Sequence, residues 1–121
     1  MHKLATPASI TSLKGYLQLS TTTPTLDMAR RIVTQCLRSR LAACAQVLGP
    51  IESTYWWRGK IRTSREWLCL IKTRRDCRAE LVNLISSLHD YEVPEIVAVT
   101  LNPISDSYRH WLDQEINSSR H

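Results

Sequence analysis

The chain has 121 residues, of which 43% are hydrophobic and 22% are charged, so it is long enough for one domain with a core and too short for two. No apolar run approaches the ~20 residues that a membrane-spanning helix needs, and Lys3 has no apolar stretch behind it. The sequence therefore predicts neither a membrane protein nor a secretory signal, and the cytoplasm is the expected location. The net charge of +5 favours either an anionic partner or simply a solvated basic surface.

A strand and a helix are predicted first. Residues 14–20 include an alternating apolar run that is typical of a short strand. Residues 21–23 are threonines and precede Pro24, which predicts a threonine cap followed by proline at the first helical position. Apolar side chains then recur at helical spacing over residues 26–41, with arginines on the other face.

A long hairpin follows. Residues 41–48 are small and apolar, as in a buried strand, and residues 51–57 resume the extended pattern after Gly49-Pro50, which predicts a bulge or bend between them. Arg58-Gly59-Lys60 predicts the hairpin turn. Residues 66–71 are predicted to form a third strand, which is apolar on both faces.

The last third of the chain predicts a helix, a strand and a closing helix. Residues 77–88 have helical periodicity, and residues 93–101 read as a fourth strand. Pro94 favours an edge position for this strand, because proline has no N–H to donate to a neighbour. Tyr108, Trp111 and Leu112 share one face of a short final helix.

The predicted order β-α-β-β-α-β with an extra C-terminal helix is the ferredoxin-like arrangement of an α+β domain, expected over residues 14–116. Residues 1–13 are expected to be a flexible segment and residues 117–121 a tail. Right-handed crossovers place both main helices on one face of the sheet. The other face is also apolar, and Tyr55-Trp56-Trp57 adds aromatic bulk that nothing else in the chain is predicted to cover. An exposed apolar patch of this kind is typical of an interface, so we expect the chain to assemble with copies of itself.

Three motifs resemble the CutA family, which is named for divalent-cation tolerance. They are Leu41-Ala42-Ala43-Cys44, Ser53-x-Tyr55-x-Trp57-x-Gly59-Lys60 and His89-x-Tyr91-Glu92-Val93-Pro94-Glu95-Ile96. Glu66, Lys72-Thr73, Tyr108 and Trp111-Leu112 also match, so the likeness extends from about Gly15 to Asp113. The resemblance implies a ferredoxin-like homotrimer in which the second and third strands reach into neighbouring subunits. It also implies an architecture similar to the PII signalling proteins and an association with copper and other heavy metals.

His89 and Cys44 are the candidate metal ligands, and a divalent metal such as copper is the one cofactor that the resemblance implies. In the family, copper binding is associated with a cysteine that closes the first strand and with paired histidines, whereas this chain has Ser20 and Leu88-His89 at those places. His89 is otherwise expected to stabilise the C-terminus of the second helix by its partial positive charge. Cys44 is expected to be a buried small side chain or, at a subunit junction, a ligand for Cu(I).

A second set of side chains is polar or amphipathic within otherwise apolar segments. One interpretation is a buried salt bridge, such as Lys72 with a glutamate, within or between subunits. The other is a cleft between protomers that binds a small anion or a metal complex. The members of this set are Tyr55, Trp57, Lys72, Glu92, Glu95 and Trp111.

The sequence contains no recognisable set of catalytic residues. Three glycines cannot form a phosphate-binding loop, and no nucleophile is recognisable beside a base. The RNA-recognition module has the same strand order, but its Lys/Arg-Gly-Phe/Tyr motif is missing from the third strand and the chain has no Phe. We therefore predict a non-enzymatic homotrimer associated with metal tolerance, with a PII-like signalling trimer that binds no metal as the alternative. A basic nucleic-acid-binding module is the alternative of another class; neither nucleic acid nor a membrane is an expected partner.

Overall fold

The computed structural model describes residues 15–116, and the predicted flanks at 1–13 and 117–121 lie outside the described residues. The strands are β1 (Tyr16–Thr23), β2 (Cys44–Trp57), β3 (Lys60–Arg74) and β4 (Val97–Leu101), and the helices are α1 (Leu26–Arg38), α2 (Arg78–Leu88) and α3 (Asp106–Glu115). A 3₁₀ turn, Arg75–Cys77, leads into α2. All strand pairs are antiparallel and the sheet order is β2-β3-β1-β4, which confirms the predicted α+β ferredoxin-like fold. Within the described residues no helix is both long and apolar enough to cross a membrane.

The entry into α1 lies later than predicted. Residues 21–23 belong to β1 and are buried. Thr25 is the N-cap, and its side chain accepts the backbone N–H of Met28 at 3.1 Å. The predicted cap within residues 21–23, followed by Pro24 in the first helical position, is therefore wrong. Threonine suits a buried strand as well as a cap, because its branched side chain packs well on a pleated surface.

The core lies between the sheet and the two helices α1 and α2. Alternate side chains of the central strands β1 and β3 point into it, and all of its main members are under 3% exposed. Burying one Leu or Ile side chain contributes roughly 1.5–3 kcal/mol, so this layer supplies most of the apolar stabilisation of a single chain. Its members include Leu17, Leu19, Cys69 and Ile71 from the sheet and Ala29, Ile32, Cys36, Leu81 and Ile85 from the helices.

The opposite side of the sheet, which we call the open face, is only partly covered. It carries the side chains that alternate with the buried ones, among them Gln46, Leu48, Leu68, Leu70, Lys72, Val97 and Val99. At one end α3 packs across it, where Asp113 accepts a hydrogen bond of 2.8 Å from the Tyr16 hydroxyl and Leu112 is fully buried. The expectation that nothing in the chain covers this face is therefore wrong for the end beneath α3. Beyond that end the apolar side chains of Leu48 and of β4 remain exposed.

The strands β2 and β3 continue beyond the rest of the sheet as a two-stranded arm, residues 51–66. Strand β1 pairs with β3 only as far as Trp67, so in the described part of the chain the two strands of the arm pair only with each other. The arm ends in the predicted hairpin turn, where Arg58 and Gly59 have φ angles of 52° and 77°, as a type I′ turn requires. A two-stranded ribbon alone is marginally stable in water, so the arm depends on further contacts.

A one-residue bulge separates the arm from the sheet and confirms the predicted interruption at Gly49-Pro50. Leu48 pairs with Leu68 and Ile51 pairs with Glu66, so β2 contains one residue more than β3 in this interval. Because side chains alternate, the extra residue decides which side of the arm each later side chain occupies. A Cβ atom at Gly49 would lie 2.6 Å from Cδ1 of Trp67, so this position has no room for a side chain.

Strand β4 is shorter than predicted. It begins at Val97 instead of residue 93, and Pro94 lies in the irregular segment before it. The predicted edge position is confirmed, because β4 pairs only with β1 within the described residues. Side-chain contacts of the residues just before β4, 89–92, are described below.

We expect Gly49→Ala to lower the free energy of unfolding by about 1–3 kcal/mol, because the added methyl group has to displace the Trp67 indole. Chemical denaturation at equal protein concentration measures the difference. In a Trp67→Leu background, which removes the indole, the same substitution should cost clearly less. An equal cost in both backgrounds would show that this contact is not the cause.

Candidate functional site

His89 follows α2 and uses both ring nitrogens within its own chain. Nε2 lies 2.8 Å from the backbone carbonyl oxygen of Thr22, and Nδ1 lies 3.2 Å from the backbone nitrogen of Tyr91. A carbonyl only accepts and an N–H only donates, so the ring proton belongs on Nε2 and the lone pair of Nδ1 accepts the Tyr91 N–H. In this arrangement the imidazole has no lone pair left for a metal ion.

The predicted metal ligands do not form a cluster. Among residues 15–116, no group of three or more His, Cys, Asp or Glu side chains is arranged to hold a metal ion. Glu95 is exposed, and Glu92 pairs with an arginine. Coordination by His89 or Cys44 stays a prediction, and at His89 it requires one of the two hydrogen bonds to break.

Glu66 is a buried carboxyl group that the sequence analysis did not assign to the site. Its side chain lies at the base of the arm, the residue is 6% exposed, and Oε2 accepts the Tyr91 hydroxyl at 2.6 Å. Burial, the hydrogen bond and the charge of Glu66 raise the pKa of Tyr91 above its usual value, so Tyr91 is a neutral donor. The sequence signal was an acidic residue within a strand that is otherwise apolar on both faces.

The irregular segment 89–96 is thereby fixed between the sheet and the arm. His89 ties it to β1, and Tyr91 ties it to the base of the arm. Glu92 pairs with Arg58 at the turn, 3.4 Å apart, with both side chains about 70% exposed. Since such an exposed pair contributes little, the buried Tyr91–Glu66 hydrogen bond is the main link.

Tyr55 and Trp57 lie on the side of the arm that continues the open face, whereas Trp56 lies on the other side and is 71% exposed. Arg62 stands directly opposite Tyr55, and Lys60 stands opposite Trp57. The Tyr55 hydroxyl forms a hydrogen bond with Ser64. This side of the arm therefore combines aromatic rings with cations.

Lys72 is half-buried on the open face, and Nζ donates to Oε1 of Gln46 at 3.1 Å. No carboxylate of the described residues forms an ion pair with it, and a partner from another subunit stays a prediction. Cys44 pairs with Lys72 in register and is half-buried, less covered than expected. Burial, and secondarily the Cys44 thiol, raise the pKa of the neighbouring Tyr108.

The predicted cleft residues form two separate groups. Tyr55, Trp57 and Glu92 belong to the arm and the segment that contacts it. Lys72 lies in β3 opposite Cys44, the first residue of β2, and the Trp111 ring, 5.5 Å from Tyr108, belongs to α3 beside it. Since Cys44 and Tyr55 are eleven residues apart on one strand, the two groups are separated by about 35 Å in one chain. They cannot line one cleft within a protomer.

Comparisons of the sequence and of the structure with known proteins find the same group of similar proteins. The family model of the CutA1 divalent ion tolerance protein matches residues 17–115. The divalent-cation tolerance protein CutA of Pyrococcus horikoshii is 38% identical over 95 residues, which are 78% of this chain and 92% of that protein. The chloroplastic protein CutA 1 of Oryza sativa is 31% identical over 115 residues, 95% of this chain, but the chain spans only 63% of its length. The crystal structure of CutA from Xylella fastidiosa superposes with a TM-score of 0.81 at 35% identity, covering 84% of this chain and 97% of that one.

We expect Tyr91→Phe to lower the free energy of unfolding by about 1–3 kcal/mol, because Glu66 then loses its donor while it remains buried. Denaturation at neutral pH measures this cost, and Tyr55→Phe, which removes an exposed hydroxyl, should cost less.

The wild type and Tyr91→Phe should also differ in how their stability changes in alkaline solution. The raised pKa of Tyr91 means that the unfolded chain releases this proton near pH 10 while the folded chain retains it, so stability falls as the pH rises above 10. Tyr91→Phe should lose less stability than the wild type between pH 10 and pH 11. A parallel loss in both proteins would contradict the raised pKa.

Proposed function

Since the chain belongs to the family of the CutA1 divalent ion tolerance proteins, we propose that it acts as a non-enzymatic homotrimer in the response to divalent metal ions and binds its ligand between subunits. The observation that carries the proposal has two parts. A single chain leaves part of the apolar face of its sheet exposed, and it does not bring the predicted cleft residues together. The cytoplasmic location remains a prediction.

The uncovered surfaces support assembly. Outside the end beneath α3, the open face exposes apolar side chains of β2 and β4, and the arm is a ribbon without a third strand. Three copies around an axis can cover these surfaces for one another, and closed symmetry leaves no edge on which further chains add. The sequence resemblance to the family points to the same number of copies. Because such an interface resembles a core, folding and assembly should be coupled.

The separation of the cleft residues supports a site between subunits. Tyr55 and Trp57 come near Lys72 and Trp111 only if the arm of one subunit lies against the α3 end of another. Lys72 then obtains a charged partner that the described part of its own chain does not offer, either a carboxylate of the neighbour or an anionic ligand. Each cleft is thus built from two chains.

The contacts of His89 favour a second candidate, a PII-like trimer that binds a small anion without metal. Both imidazole nitrogens are occupied by backbone groups, which disfavours a copper site at this residue. Lys72 is half-buried, and the only hydrogen-bond partner of its side chain among residues 15–116 is the Gln46 amide, which favours an anion as its further partner. The two candidates share the trimer and differ in the ligand.

We expect the wild type to sediment at three times the 13.9 kDa monomer mass at micromolar concentration. Trp57→Asp should give unfolded or aggregated chain, because a carboxylate then has to be buried in the interface. Arg30→Gln, on the exposed face of α1, is the matched control and should remain trimeric. A well-folded wild-type monomer at this concentration would contradict the proposed assembly.

We expect calorimetric titration of tag-free protein with Cu(II) or Zn(II) to reveal at most modest binding, since His89 has no free lone pair. His89→Ala should leave the binding heats unchanged but lower Tm, because Thr22 and Tyr91 lose their partner. His110→Ala, at an exposed position of α3, should change neither quantity. A stoichiometric nanomolar site that disappears in His89→Ala would overturn this expectation.

A further inference from the structure

One side of the arm carries two aromatic–cation pairs near the turn. Tyr55 stands opposite Arg62, and Trp57 stands opposite Lys60. Side chains directly opposite each other on antiparallel strands have Cβ atoms about 4.5–5.5 Å apart, so each ring lies beside a cation. The guanidinium carbon of Arg58 is 5.4 Å from the centre of the Trp57 ring. We call these five residues the aromatic–cation patch.

The charge of the patch is not compensated. Residues 55–65 contain four cations and no acidic residue. Neither Lys60 nor Arg62 forms an ion pair with a carboxylate of residues 15–116, and both are exposed. The pair of Arg58 with Glu92 is exposed and contributes little. An anion is therefore attracted to this side of the arm, and a free divalent cation is repelled from it.

The rings restrict which anion fits. A flat heterocycle stacks favourably on an aromatic side chain, largely independent of which base it is. Arginine and lysine bind phosphate oxygens through charge-assisted hydrogen bonds. A ligand with both a planar ring and phosphate groups uses both halves of the patch, whereas inorganic phosphate uses only the cations.

We propose that the aromatic–cation patch binds a nucleotide, with the base stacked on Tyr55 or Trp57 and the phosphates held by Lys60 and Arg62. The inference rests on the proposed function, because it names the ligand class of the cleft between subunits. Tyr55 and Trp57 are two residues apart, or about 7 Å along the strand, which offers room for a base and not for a track of bases. The patch therefore fits a mononucleotide better than a single-stranded nucleic acid.

The test is a calorimetric titration of the wild-type protein with ATP, adenosine and tripolyphosphate in metal-free buffer. ATP should bind once per subunit, and the other two probes, which carry only the ring or only the charge, should each bind at least about tenfold more weakly. The double substitution Lys60→Gln with Arg62→Gln should weaken ATP binding at least about tenfold. Arg30→Gln removes one exposed charge elsewhere and should change the affinity less than about twofold.

Three results would overturn the proposal. Equal affinities for tripolyphosphate and ATP would show that the rings do not contribute to binding. If Arg30→Gln weakened ATP binding as much as the double substitution, ATP would be responding to the overall positive charge of the protein instead of to a site. Binding of a twelve-nucleotide oligouridylate without binding of ATP would assign the patch to nucleic acid. Sedimentation separates this proposal from the proposed function: a trimer that does not bind ATP overturns only the nucleotide site, and a folded monomer overturns the assembly.

Discussion

The pairing of β2 with β3 beyond the last residue that β1 can reach is the constraint on which the rest of the molecule depends. Seven residue pairs, from Ile51 with Glu66 to Trp57 with Lys60, extend into solvent with backbone bonds satisfied only across the ribbon. A ribbon of this kind buries too little apolar surface to be stable alone. In the proposed homotrimer, its aromatic side chains pack on the apolar open face of a neighbouring subunit.

The candidate site follows from this geometry. The arm carries rings and cations at one end of the hairpin, and α3 with Lys72 lies at the other end, so neither end by itself brings the predicted cleft residues together. The segment before β4 connects the domain to the arm through the Tyr91 hydroxyl and the buried Glu66. That hydrogen bond lies between the core and the arm, and it therefore fixes the direction in which the arm projects. Residues that resemble ligands in sequence, above all His89, serve this positioning in the described chain.

The sequence predicts features that depend on neighbours along the chain. The turn at Arg58-Gly59, the bulge at Gly49-Pro50 and the periodicity of α1 are of this kind, and the structure confirms all three. Contacts between residues that are far apart in the sequence leave no pattern in the sequence around either residue. His89 meets a carbonyl 67 residues away and Tyr91 meets a carboxyl group 25 residues away, so nothing near either residue indicates its partner. The threonine cap failed for a related reason, because residues 21–23 satisfy both the cap and the strand pattern, and only their burial and their pairing with β3 decide between them.

Because side chains alternate along both strands, the arm can vary in length during evolution only in certain steps. Each residue added to both strands moves the turn outward by about 3.3 Å and exchanges the two sides of the tip. A gain of one residue per strand would thus present Trp56 where Trp57 now stands, and a loss would present it where Tyr55 now stands. Tip sequences that keep the same side chains facing the open-face side can lengthen or shorten only in steps of two residues per strand, about 6.6 Å. Deletion of the bulge residue alone would make the ladder regular between Leu48 and Ile51 and would leave each ring of the tip opposite the same cation.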